Sequence, residues 1–121
     1  IAKLTKLSAR HEQHNDLVEG LREMGERCEE MLRIALDSLA NRDIALARTL
    51  VDLDELVDNT NRRVVDKVLE MAASPGQQEW GMRMIVVARC LERVGDNAVD
   101  IGEQTAFLVT GEFHEFGDAS H

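Results

Sequence analysis

Apolar residues recur along this chain at alternating steps of three and four. Leu17, Leu21, Met24, Cys28, Met31, Ala35 and Leu39 form one such series. Leu46, Leu50, Leu53, Val57, Thr60 and Val64 form a second, continuing to Val68 and Met71. Trp80, Met84, Val87, Leu91, Val94, Ala98, Ile101, Thr105 and Leu108 form a third. Each series predicts a stripe along one face of a helix, at coiled-coil spacing.

Helix-breaking residues separate the stripes. Asn41-Arg42-Asp43 offers a left-handed-tolerant Asn and an Asp cap for the next helix. Ser74-Pro75-Gly76-Gln77 reads as a capping box with Ser as N-cap and Pro in the first turn. These signals place helices near 8–40, 43–73 and 77–110. Connections this short make neighbouring helices antiparallel. The expected fold is all-α: one antiparallel up-down-up three-helix bundle over 1–110, like a spectrin repeat in architecture. Residues 111–121 leave the pattern and read as a partly ordered tail, although Phe113 and Phe116 could cap the bundle or dock on a partner.

Composition narrows the function. The chain has 121 residues, 3% aromatic and one Pro, too few aromatics and turn residues for a sandwich or barrel. A net charge of −9 argues against nucleic acid and anionic lipid as partners and permits cations or basic protein surfaces. No apolar run is long enough to enter a membrane as a span. Cys28 and Cys90 have no metal or redox spacing; both read as buried, inert thiols of a reducing compartment.

The acidic residues carry the candidate chemistry. Asp54 and Asp58 are four apart on the second helix, and Glu92 and Asp96 are four apart on the third. Residues so spaced share a helix face. Counted from the intervening turn, the two pairs sit at the same height, so four carboxylates can converge between antiparallel helices. Asp100 and Glu103 extend one row, and Asn61 the other. All-oxygen ligands favour hard cations. Spacing alone favours a blander reading, in which Asp58–Arg62, Arg89–Glu92 and Arg93–Asp96 are surface ion pairs worth less than about 1 kcal/mol each. Gly95 and Gly102 cost helix stability and suggest close helix approach or room for an ion.

Other motifs fail. His11-Glu12-Gln13-His14 resembles a zincin start, but Asn15 stands where the second His is needed, and an exposed first turn explains it. No Glu-x-x-His pair of a ferritin-like di-iron site is present, nor a phosphate loop, nor a Ser/His/Asp constellation.

The segment from Ala88 through Glu92, Gly95-Asp96 and Asp100 to Gly102-Glu103 resembles the signature of the PhoU family, regulators of phosphate uptake. Phe107-Leu-Val-Thr-Gly-Glu112 resembles the end of that family's last helix, and Asp54-x-x-x-Asp58 its other acidic motif. The resemblance implies a non-catalytic regulator built from three-helix repeats, usually two per chain. It implies metal ligands at Asp54, Asp58, Glu92 and Asp96, with Asp100 and Glu103 as additions. Iron is the metal implied first, with manganese, magnesium, zinc or calcium as alternatives. The implied partners are a PhoR-like sensor kinase, a Pst phosphate-transporter subunit, and a second repeat or another copy of the chain. The implied location is cytoplasmic, reaching the membrane's inner face through protein partners. Asn97, Asp100 and Cys90 depart from the family's usual residues and bear on the metal's identity more than on the fold.

Overall fold

The structure is a computed structural model that describes residues 2–74, 76–113, 115 and 116, with side chains in the first helix described from residue 14 onward. Four helices follow in order: α1 (Ala2–Asn41), α2 (Ile44–Arg48), α3 (Leu50–Met71) and α4 (Gln78–Thr110). The chain forms the expected up-down-up helical bundle. Cross-helix contacts fix the directions. His14 meets Gln77, Cys28 meets Leu91 and Met31 meets Gly95, so α1 and α4 run parallel. Lys67 meets Asp16 and Arg63 meets Glu23, so α3 runs against α1.

The expected second helix is divided. Thr49 keeps right-handed helical dihedrals, but its amide and hydroxyl both donate to carbonyls of the preceding turn, the hydroxyl to Leu46 O at 2.6 Å. This back-bonding tightens the turn and separates α2 from α3. Asp43 caps α2 as expected, accepting from the Leu46 amide at 3.0 Å. The left-handed residue before it is Arg42, at φ 53°, whereas Asn41 stays helical and donates its side-chain amide to Asp37 O. The Ser74–Gln77 capping box does not form. Gln77 itself is the N-cap of α4 without a side-chain cap bond, because its Oε1 is engaged by His14. Pro75 lies outside the described residues.

The core differs from the expected stripes on α4. Val87 and Leu108 are exposed, while Gly81, Ala88, Gly95 and Gly102, spaced by seven, are buried. Small residues let the helices approach until their large neighbours flank the contact instead of filling it. A Cβ on Gly81 would lie 2.9 Å from Val68 Cγ1, and one on Gly102 would lie 2.8 Å from Leu50 Cδ1. The large residues opposite come from α1 and α3: Leu17, Met24, Met31, Leu50, Val57 and Met71 are fully buried. Buried Ser38, Thr60 and Thr105 satisfy their hydroxyls on carbonyls of their own helices.

At the far end Gly111, at φ 74°, ends α4 with a left-handed cap that donates to Phe107 O. Of the segment expected as a partly ordered tail, residues 111–113, 115 and 116 are described. Phe116 is buried, its ring lies against the Gly102 position, and its amide donates to Glu103 Oε2 at 2.7 Å. Phe113 is exposed, and residues 117–121 lie outside the described residues. His14 does not belong to an exposed first turn: it is half-buried, with its ring stacked on Trp80 at 4.1 Å. The side chains of His11, Glu12 and Gln13 are outside the described set.

Candidate carboxylate face

The outer seam between α3 and α4 carries the acidic residues. The antiparallel register sets Asn61 against Glu92, with Nδ2 donating to Oε2 at 3.3 Å. It sets Asp54 against Gly95, where a Cβ would lie 3.4 Å from Asp54 Oδ1. The equal heights read from the sequence are therefore the heights in the fold. Asp54, Asp58, Glu92 and Asp96 share one electrostatic neighbourhood, in which all three partners raise the pKa of Asp58.

Each side chain meets that neighbourhood differently. Asp54 is 5% exposed and lies in the buried stripe of α3 between Leu50 and Val57, whereas Leu53, expected in that stripe, is only half-buried. Gly95 leaves the space that its carboxylate faces. Asp58 is partly buried, and its carboxyl is raised from 3.8 to about 6, first by burial, then by the Asp54 charge, a hydrogen bond with Glu92 and the charges of Glu92 and Asp96. Glu92 is held from two sides, by Asn61 and by Arg89, whose guanidinium approaches Oε1 at 3.1 Å. Of the expected surface pairs, Arg89–Glu92 is present, whereas Arg62 turns to Asn59 rather than Asp58.

Asp100 and Glu103 do not join this cluster. They lie roughly 6 and 10 Å beyond Asp96 along α4. Asp100 is exposed. Glu103 is buried at the bundle's end, where it binds the Phe116 amide. Nothing in the acidic row announces this partner thirteen residues ahead.

Behind the seam lies a residue the acidic motifs do not reveal. Cys28, from α1, donates its thiol to Leu91 O at 3.1 Å. Burial pushes this thiol up; an amide hydrogen bond from Gly95 opposes the rise, and the Asp54 and Asp96 charges add to it. Cys90 is exposed, contrary to the buried reading, because it falls on the outer side of α4.

The donor set suits a hard cation: four carboxylates, close enough together that their charges add to burial in raising Asp58 to about 6. Their present rotamers do not form a coordination shell. Among the described residues no group of three or more His, Cys, Asp or Glu side chains is arranged to hold a metal ion. No helix among the described residues is long and apolar enough to cross a membrane.

A family model described as the PhoU domain matches residues 21–105. Among curated proteins, the chain is similar to the phosphate-specific transport system accessory protein PhoU homolog of Clostridium acetobutylicum. They are 27% identical over 108 residues, covering 88% of this chain and 49% of that protein. The proteins of the same description from Zymomonas mobilis and Deinococcus radiodurans are each 33% identical to it, over 74% and 75% of this chain and 38% and 43% of their own lengths. The chain thus spans less than half the length of these relatives. No solved structure matches significantly.

Proposed function

The chain belongs to the PhoU domain family, and on that premise we propose that it is a non-catalytic regulatory unit of a phosphate-transport system. The relatives are named as accessory proteins of such a system. In this reading Asp54, Asp58, Glu92 and Asp96 bind one or more hard cations, iron foremost, and the loaded face docks on a Pst-type transporter subunit or a PhoR-like sensor kinase at the cytoplasmic side of the membrane. A second unit of the same kind, from another repeat or another copy, accompanies it. The observation that supports this reading most is the meeting of the two acidic pairs at one height of the α3/α4 seam. A cation there would offset the repulsion among the carboxylates, which adds to burial in raising Asp58, and would fix the rotation of α3 against α4.

The test is elemental analysis of protein purified without chelator, beside an Asp54/Asp58/Glu92/Asp96→Ala control, followed by pull-down of transporter and kinase subunits. Near-stoichiometric metal that vanishes in the control is expected. A metal-free protein that still captures the partners would move the reading to metal-independent docking. A second reading, a structural adaptor bundle with acids held in surface ion pairs, is favoured by the grip of Arg89 and Asn61 on Glu92. It predicts a melting temperature indifferent to chelator.

A further inference from the structure

The α3/α4 seam continues past the carboxylates toward the turn at Gly76, and its character changes. Val68 packs on Gly81 there, its Cγ1 2.9 Å from where a Cβ on Gly81 would stand. The next residue on each helix, Leu69 and Met82, stands out in solvent at 63% and 67% exposure, and Val86, one turn further along α4, is 60% exposed. Val65 and Ile85 lie half-buried between them. Leu69, Val65, Asp58 and Asp54 follow one another at helical spacing on α3; Met82, Val86, Arg89, Glu92 and Asp96 do so on α4. One strip of surface therefore has an apolar half and an acidic half. From Leu69 to Asp54 it runs about 22 Å, the length of a four-turn helix.

We infer that this strip is a groove for one amphipathic helix of a partner protein, whose apolar residues cover Leu69, Met82 and Val86 and whose Arg or Lys residues, on the same face, reach the carboxylates. Charge complementarity selects the occupant. A second copy of this chain related by a two-fold axis sets acids against acids, or acids against Leu69 and Met82, and neutralises neither half. A chain of net charge −9 is repelled by anionic lipid. A helix that is apolar for two turns and cationic for two matches both halves in one binding mode. Arg89 stands at the boundary with its guanidinium already on Glu92, which marks the first position where an incoming cation finds an acceptor. The strip shares carboxylates with the proposed metal face, but its apolar half is independent of any metal.

The experiment uses chelator-treated full chain and three labelled synthetic helical peptides of about sixteen residues. One carries Leu on one face of its first two turns and Arg on the same face of the last two. The others carry Arg, or Leu, along the whole face. Fluorescence anisotropy is expected to give roughly tenfold tighter binding for the composite peptide than for the all-Arg one. The advantage should vanish in the double variant Leu69→Glu/Met82→Glu and, as a milder second variant, shrink in Val86→Asp. Both sets of positions are already in solvent, and circular dichroism checks that the variants are folded. A composite peptide that binds no tighter than all-Arg, or an advantage that survives the double variant, overturns the inference. So would concentration-dependent dimerisation abolished by the double variant, which would assign the strip to a second copy. Metal binding is read separately by elemental analysis, so the two ideas fail independently.

Discussion

Removing one charge from the carboxylate cluster should stabilise the protein at neutral pH. In Asp58→Asn the side chain keeps its shape and can still donate to Glu92. A carboxyl moved from 3.8 to about 6 by folding corresponds to ~3 kcal/mol of differential interaction between its two protonation states. Asp58 is only partly buried, and solvent screening reduces the usable part to about 1 kcal/mol. Between pH 4 and 6 the folded protein holds a proton that the unfolded chain has released. Stability therefore falls as pH rises through this window and stays at its lower level above it. The substitution removes that loss. With chelator present, Asp58→Asn should melt about 3–5 °C above the parent at pH 7.5 and together with it at pH 4. Thermal melts followed by circular dichroism at the two pH values make the measurement. No gain at pH 7.5, or an equal gain at pH 4, would refute the idea that like-charge crowding strains this site. If the cluster binds a cation as proposed, adding that cation should reverse the order, since the parent has the carboxylate that the variant lacks.

Two further outcomes follow from packing. Gly25→Ala should raise stability by about 0.5–1 kcal/mol, because it gains helix propensity and a Cβ there meets nothing within 4 Å. Gly102→Ala should lower stability, because its Cβ would meet buried Leu50 at 2.8 Å and the Ala47 carbonyl at 3.4 Å; urea melts of the pair should move in opposite directions. In native protein one thiol should react quickly with a disulfide reagent and the other only on unfolding. Cys90 is exposed, whereas Cys28 is buried and raised above its ordinary value; mass mapping of the first modified peptide checks the assignment.

The acidic site was readable because it depends on counting. Helical period and a short turn determine which residues of α3 and α4 share a height, and Asn61 against Glu92 and Asp54 against Gly95 follow that count. The grip of Arg89 on Glu92 was readable as an i,i+3 pair for the same reason. Cys28 was not readable as a neighbour of the cluster, since its place under Leu91 depends on how α1 is rotated against α4. Trp80 looked like a core residue of α4; its stacking on His14 was invisible because His14 lies on another helix.

Local period and capping thus determined, without reference to the fold, three long helical stretches, their up-down-up order, the Asp43 cap and the level of the four carboxylates. These features need only contacts within a helix or across one short connection. Tertiary structure decided which face of α4 is buried. The apolar stripe named its large residues, yet close approach selected Gly81, Ala88, Gly95 and Gly102 and turned Val87 and Leu108 outward. It also decided the fate of Glu103, which a returning chain made into the acceptor of the Phe116 amide rather than a member of the acidic cluster. Helix rotation and chain return are set by steric fit among distant segments, and a pattern read along one segment contains no information about the surface it will meet.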